Sequence, residues 1–185
     1  MSHGKLFVIS GASGVGKSTV LKKVMASRDD LVFSVSATTR APRPGEVDGV
    51  HYYFMNRETY DEMVRNDEFL EYDIHFETGY GTPKAQLEEK LTRGNVILDI
   101  EPNGAMNVKA NCADATLIFI MPPSIEELER RLRSRGDTSE EQVQIRLARA
   151  NWEIEKAEGY DYRVINGEVD TCADEVLKII ADKAD

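Results

Sequence analysis

Short apolar runs alternate along the chain with segments whose apolar residues recur every three or four positions. The runs at 6–9, 31–35, 95–100, 116–121 and 162–166 predict buried strands. The spacing of Val20, Leu21, Val24 and Met25 predicts a helix directly after the first strand, and similar stretches predict helices at 57–66, 83–94, 102–110 and around 176–180. This alternation predicts an α/β fold with a parallel sheet flanked by helices, whose ligands bind at the carboxyl ends of the strands.

A second pattern interrupts this alternation between positions 36 and 82. Two prolines and a glycine rule out continued regular structure over 36–46, and aromatic stretches at 51–54, 69–76 and 79–81 predict short strands. We therefore expect one domain with a core of residues 1–35, 83–125 and 160–185, a small β-rich subdomain of about 36–82 and a helical lid of about 126–158.

Polar residues with capping chemistry mark the starts of several helices. Asn56 is expected to cap the helix from 57, and Thr82 is expected to cap a helix with Pro83 at its first position. Ser124 begins a capping box, and Ser139 begins another for a helix reaching about 158. Residues 136–138 break the lid between these two capped helices, which is typical of a hinged flap.

Composition narrows the classes of partner. The chain of 185 residues carries a formal net charge of −10, which argues against DNA or RNA as the main partner. No apolar run is long enough to cross a membrane, and no signal peptide is evident, so we expect a cytoplasmic protein without a membrane partner. Cys112 and Cys172 lack metal-ligand spacing and are expected to be free thiols.

The segment after the first strand reads G-x-x-x-x-G-K-[ST], the pattern of a phosphate-binding loop between a strand and a helix. Glycines let the backbone approach phosphate closely, and the following helix adds amide donors. We expect Lys17 to reach the β- and γ-phosphates and Ser18 to bind Mg²⁺, the alternative being a glycine-rich turn that binds nothing. The predicted triphosphate-binding residues are Gly11, Ala12, Ser13, Gly14, Val15, Gly16, Lys17, Ser18 and Thr19.

Arginines suggest two further anion-binding features. Arg40 and Arg43, with Tyr52 beyond them, have the donors for a second phosphate site, although a solvated loop whose arginines meet surface acids is an open alternative. Arg131, Arg135 and Arg146 suit charge stabilisation during phosphoryl transfer if the flap closes, the alternative being a helical face laced with salt bridges.

The whole chain resembles the guanylate kinase family. The resemblance rests on the phosphate loop, the Ser-x-Thr-Thr-Arg-x-Pro-Arg-x-Gly-Glu run at 36–46 and the motifs at 69–71, 80–82, 96–100 and 122–124, which recur in the family's order. It implies a P-loop kinase that transfers the γ-phosphate of ATP to GMP and requires Mg²⁺. It also implies that the subdomain of about 36–82 binds GMP.

The resemblance also implies roles for single residues. Arg40, Arg43, Tyr52 and Tyr80 would hold the GMP phosphate, while Ser36, Glu71 and Thr82 would read guanine. An ionised Glu71 can accept from N1–H and the exocyclic amine, and the two hydroxyls can donate to O6; adenine lacks that N1 donor. Without the resemblance, Glu71 would read as an edge-strand surface acid.

Three more assignments follow from the resemblance. Asp99 belongs with the acceptor site, and either an indirect role at Mg²⁺ or a bond to an acceptor-site group is open. Asn166 lies where the family contacts adenine. Lys17, Arg40, Arg131, Arg135 and Arg146 would carry the phosphoryl-transfer chemistry, without a general base.

The chain departs from the family pattern at a few positions, and two other functions are considered. Gly79 stands where the family often has a tyrosine, so the family pattern does not predict the rim of the acceptor pocket at this position. Asn103 and Gly167 replace a usual glutamine and a usual aspartate. A protein-binding module of the same fold predicts a degraded phosphate loop. A kinase for another acceptor predicts disruption of the guanine-reading set. Neither is found, and the oligomeric state is left open.

Overall fold

The computed structural model describes residues 3–75, 77–134 and 139–184. In chain order the elements are β1 (Leu6–Gly11), α1 (Lys17–Ala26), β2 (Leu31–Phe33), β3 (Ala37–Thr38), β4 (Tyr53–Phe54), α2 (Arg57–Arg65), β5 (Phe69–His75), β6 (Thr78–Pro83), α3 (Lys84–Leu91), β7 (Asn95–Asp99), α4 (Pro102–Asn111), β8 (Thr116–Met121), α5 (Ile125–Arg133), α6 (Glu140–Lys156), β9 (Tyr162–Ile165) and α7 (Val169–Ala184), with a 3₁₀ turn at Ala157–Gly159.

The larger sheet has five parallel strands in the order β2-β7-β1-β8-β9. Two apolar clusters cover its faces: one joins β1 and β8 to α1, α5, α6 and α7, and the other joins the sheet to α3 and α4. The predicted parallel α/β fold is therefore confirmed. Phosphate-loop residues follow β1 and Asp99 ends β7, so both lie at the carboxyl edge where such sheets bind ligands.

The smaller sheet has four strands in the order β4-β3-β6-β5. One face packs on α2 through a cluster of Ala37, Tyr60 and Phe69. A register shift between Phe69 and Glu71 inserts an extra residue in β5. Because side chains alternate along a strand, this bulge allows Phe69 to face the α2 cluster while Glu71 faces the opposite way.

The helix caps test the predictions made from side-chain chemistry. The side chains of Asn56, Ser124 and Ser139 each accept a backbone N–H in the first turn, which confirms those three caps. The prediction for Thr82 is wrong, because Pro83 occupies the cap position and α3 begins at Lys84. The Thr82 hydroxyl donates instead to a buried carboxylate in β5.

Other element boundaries differ in smaller ways. The strand predicted for 31–35 ends at Phe33, and the segment expected to lack regular structure contains the two-residue β3, which precedes its prolines. Ile125 begins α5 but is exposed, whereas Leu128 and Leu132 are buried. Phe76, Arg135 and the break at 136–138 lie outside the described residues. Within the described ranges, no helix combines the length and apolarity needed to cross a membrane.

Candidate active site

Two cavities adjoin at the carboxyl edge of the larger sheet. A donor cavity of about 510 Å³ is lined by the phosphate loop and by α6 residues, and an acceptor cavity of about 330 Å³ is lined mainly by the smaller sheet. Ile100, Glu101 and Arg149 line both cavities. Both volumes fall in the range of small-molecule sites, and the shared wall allows bound groups to meet end to end.

The phosphate loop has the backbone conformation that its glycines predict. Gly14 and Gly16 have φ values of +87° and +95°, which favour glycine, and α1 begins directly afterwards at Lys17. The Lys17 ammonium, which lines the donor cavity, pairs with the Asp99 carboxylate, which lines the acceptor cavity. The helix N-terminus and this lysine supply the positive potential that a triphosphate needs.

Asn166 and Arg131 both bind the phosphate loop through the carbonyl oxygen of Val15. The Asn166 side-chain amide donates to the Val15 carbonyl oxygen at 2.8 Å, while its buried Oδ1 has no hydrogen-bond partner among the described residues. Arg131 donates to the carbonyl oxygens of Val15, Asn166 and Gly167 at 3.3, 3.0 and 3.2 Å. Arg131 therefore ties α5 to the loop and to the end of β9.

The predicted second phosphate site is assembled around Arg40. Its guanidinium lies 4.9 Å from the centroid of the Tyr52 ring, and Tyr52 packs edge-on against Tyr80 at 6.2 Å. Glu46 accepts two bonds from Arg40, at 2.6 and 2.7 Å, and one from the Arg43 backbone N–H at 2.7 Å.

Glu46 is an acid of the kind that the alternative interpretation of this loop invokes, in which the arginines pair with nearby acids. The bonds from Arg40 and the Arg43 N–H lower the pKa of Glu46 to about 2. Glu46 therefore stays ionised at neutral pH. The paired guanidinium lies over the ring of Tyr52, which lines the acceptor cavity, whereas Arg43 is exposed.

The residues predicted to read guanine form one row across the smaller sheet. Glu71 pairs with Thr82 in the register of β5 and β6, and the pairing of Ala37 with Gly81 puts Ser36 beside Thr82. Thr82 donates to Glu71 Oε1 at 2.6 Å and is itself fully buried. Ser36 and Glu71 line the acceptor cavity, whereas the Thr82 hydroxyl lies behind the carboxylate.

Glu71 is a buried acid and not a surface acid. It is 6 % exposed, and desolvation raises its pKa above the ordinary value, with the Thr82 hydrogen bond acting in the opposite direction. A Cβ placed on Gly104 in α4 would lie 2.9 Å from Glu71 Oε2. Gly104, which the sequence did not single out, therefore leaves room for the carboxylate.

Gly79 does not form the rim of the acceptor cavity. Because it alternates with Tyr80 along β6, it faces α2, where a Cβ would lie 2.5 Å from Tyr60 Cζ. The Tyr60 ring fills the space that a larger residue would need. This departure from the family pattern therefore leaves the cavity face of the sheet unchanged.

The lid arginines other than Arg131 differ in where they lie. Arg146 lines the donor cavity, as expected of a residue that meets a triphosphate, and Arg135 lies outside the described residues. Arg149 and Glu153 on α6 also face the cavities, with Glu101 from the start of α4 opposite them. Sequence reasoning missed this last group, because an arginine and two glutamates on or beside helices read as a solvated surface.

Comparisons with known proteins identify the family of this chain. The family model described as guanylate kinase matches residues 3–183. A guanylate kinase of Thermus thermophilus is 51 % identical over 96 % of this chain and 81 % of its own length, and one of Zymomonas mobilis is 48 % identical over 96 % and 83 %. The crystal structure of guanylate kinase from Anaplasma phagocytophilum matches with a TM-score of 0.77 and 34 % identity, covering 99 % of this chain and 87 % of that one.

Proposed function

This chain belongs to the guanylate kinase family, and we propose that its two cavities perform the transfer of the ATP γ-phosphate to GMP. ATP occupies the donor cavity with its phosphates on the loop that ends at Lys17. GMP occupies the acceptor cavity with its base at Glu71 and its phosphate toward Arg40. The observation that carries this assignment is the row formed by Glu71, Thr82 and Ser36, facing a cavity that adjoins the phosphate loop.

Guanine recognition rests on the Glu71 carboxylate. Guanine presents N1–H and an exocyclic amine side by side, and an ionised carboxylate accepts from both. Since Thr82 already donates to Glu71 Oε1, we propose that Thr82 orients the carboxylate, while Ser36 is the hydroxyl available to O6. Adenine at this position would leave the buried carboxylate without its N1 partner, which strongly disfavours AMP.

The acceptor phosphate binds between the loop at 40–46 and the two tyrosines. Arg40, already stacked on Tyr52, presents its remaining N–H groups to a phosphate oxygen, and Tyr52 and Tyr80 donate their hydroxyls. Arg43 reaches the same phosphate from the exposed side of the loop. Because Glu46 remains ionised, it keeps Arg40 in place while the phosphate binds.

The donor side fits ATP and Mg²⁺. Asn166 Oδ1 is a buried acceptor without a partner among the described residues, which suits the exocyclic amine of adenine. The Ser18 hydroxyl lines the donor cavity and the Asp99 carboxylate lines the adjoining acceptor cavity, and both are oxygen ligands of the type that Mg²⁺ prefers. Among the described residues no cluster of three or more His, Cys, Asp or Glu side chains forms a metal site. When bound, Mg²⁺ would neutralise charge on the β- and γ-phosphates, with Ser18 as its protein ligand.

Positioning and charge stabilisation carry the reaction. The GMP phosphate oxygen is already anionic, so no general base is required. Lys17 and Arg146 face the donor phosphates, and Arg131 keeps the loop in place through the Val15 carbonyl. Charge that develops on the transferred group is stabilised by these cations. Arg135 is proposed to join them from the lid.

The remaining assignments extend the proposal beyond the site. We assign residues of about 36–82 to GMP binding and about 126–158 to a lid over the core of 1–35, 83–125 and 160–185. Cytoplasmic location and the absence of nucleic-acid and membrane partners are proposed from the net charge of −10 and from the two unpaired cysteines.

One assay tests the proposal. ADP release from ATP and Mg²⁺ is measured with GMP, AMP, CMP, UMP and ribose phosphates supplied in turn. We expect strong stimulation by GMP alone. If GMP does not stimulate release, the proposed reaction is wrong; if another acceptor does so equally well, the guanine assignment is wrong.

A further inference from the structure

A buried carboxylate on the lid helix contacts the phosphate loop. Glu153 in α6 is 4 % exposed and lines the donor cavity. Its Oε2 accepts the backbone N–H of Ser13 at 2.6 Å, and its Oε1 accepts from Arg149 Nε at 3.1 Å. Arg149 in turn pairs with Glu101 Oε1 at 2.6 Å. These contacts join the phosphate loop, the lid helix and the start of α4.

The location of this carboxylate requires an explanation. A buried charge is unfavourable unless hydrogen bonds and an opposite charge compensate it, and here the Ser13 amide and Arg149 provide both. Glu153 also lines the cavity proposed to hold a polyphosphate, where the negative charge of its carboxylate repels the phosphates and opposes their binding. A structural task that outweighs this repulsion would explain its presence.

We propose that Glu153, with Arg149 as its counter-ion, is a positioning residue for phosphoryl transfer. It holds the Ser13 end of the phosphate loop so that the amides beyond Gly14 stay directed at the triphosphate. This inference rests on the proposed function of the two cavities. It adds a residue that touches the loop backbone and acts on ATP only through the loop.

The geometry explains how this arrangement could act. The Ser13 N–H is committed to Glu153, which removes one orientation of the loop in which this amide turns into the cavity. Because Glu153 and Arg146 stand on the same helix, the helix that presents a cation to the phosphates also braces the loop that binds them. Glu101 connects this arrangement to the shared wall of the acceptor cavity through Arg149.

The test uses the full chain with substitutions on α6. Glu153→Ala removes the acceptor, Glu153→Gln keeps an oxygen for the Ser13 N–H without the charge, and Glu155→Ala alters an exposed glutamate of the same helix as a control. Steady-state constants are measured for ATP and GMP separately. Binding of ATP in the absence of GMP is measured by calorimetry, and melting temperature reports on the fold.

We expect Glu153→Ala to raise both KM and Kd for ATP by about tenfold, as the loss of one charge-assisted hydrogen bond predicts. KM for GMP should change by less than about twofold, and Glu153→Gln should recover most of the affinity for ATP. Arg149→Met should weaken ATP binding less and should add little in the Glu153→Ala background, since the two groups act together. Glu155→Ala should match the unsubstituted chain.

Two outcomes would overturn the inference. Tighter ATP binding in Glu153→Ala would mean that the carboxylate only repels the triphosphate. Equal changes in KM for both substrates, following the loss in melting temperature, would mean a general structural role. If Glu153→Ala does not fold, Arg149→Met is compared with the unsubstituted chain, and unchanged ATP binding in this variant would overturn the inference. The calorimetric measurement of ATP binding does not involve GMP. A failure of GMP to react would therefore contradict the proposed function without contradicting this inference.

Discussion

Replacing Glu71 with glutamine tests the proposed guanine-recognition site most directly. The substitution keeps the size of the side chain and removes its charge and one acceptor oxygen. In the structure Oε1 already accepts from Thr82, and the residue is 6 % exposed, so water cannot replace a lost partner. No orientation of a glutamine then supplies acceptors for Thr82, N1–H and the exocyclic amine together.

The size of the effect follows from these contacts. A hydrogen bond to a charged acceptor contributes about 1.5–3 kcal/mol, and a buried donor left unpaired costs a similar amount. We therefore expect Glu71→Gln to reduce kcat/KM for GMP by roughly a hundredfold, equivalent to about 3 kcal/mol. Activity with AMP, which we expect to be poor in the unsubstituted chain, should fall much less.

Although Glu71→Gln should lower activity with GMP, it should raise the stability of the ligand-free fold. Desolvation raises the pKa of Glu71 in the folded chain, so the unfolded carboxyl group gives up its proton more readily and ionisation destabilises the fold. At neutral pH the melting temperature of the ligand-free glutamine variant should therefore exceed that of the unsubstituted chain. This difference should shrink as pH falls through the raised pKa, because the native carboxyl group then becomes neutral.

The assay compares kcat/KM for GMP and AMP, with thermal unfolding measured in parallel. Glu58→Gln, at an exposed position in the first turn of α2, serves as the matched control for activity and should leave kcat/KM for GMP unchanged. Unchanged kcat/KM for GMP in Glu71→Gln would refute the assignment of guanine to this carboxylate. A lower melting temperature together with a uniform loss for both acceptors would instead mean that Glu71 is structural.

Three further predictions follow from the same contacts. Lys17→Ala should abolish turnover while GMP binding, measured by calorimetry, stays within about twofold, since Lys17 serves the donor phosphates. KM for GMP should rise as pH falls through the raised pKa of Glu71, whereas the Glu71→Gln variant should lack that rise; rates from about pH 5 to 8 test this. Gly79→Ala should destabilise the fold by about 1–3 kcal/mol in urea unfolding, because its Cβ would meet the Tyr60 ring, whereas Gly167→Ala, with open space around it, should not.

Much of the larger sheet could be predicted from the sequence because its information is local. Buried parallel strands read as short apolar runs, and the phosphate loop is a contiguous motif that needs only a strand before it and a helix after it. The caps at Asn56, Ser124 and Ser139 also depend on residues within one turn. Thr82 shows where local reasoning fails, since α3 begins one residue later than its pattern predicts and the Thr82 hydroxyl donates to a carboxylate 11 positions away.

The sequence by itself determined the parallel α/β architecture and the phosphate loop, since each is carried by periodicity or by a short contiguous motif. The residues proposed to read guanine came from the resemblance to a family and from no local pattern. The tertiary structure alone decided how those residues meet. The bulge between Phe69 and Glu71 turns the carboxylate into the cavity, Glu46 grips the guanidinium of Arg40, and Glu153 reaches the Ser13 amide from another helix. Such contacts join positions up to 140 residues apart, and which pair forms depends on how the packed elements face one another.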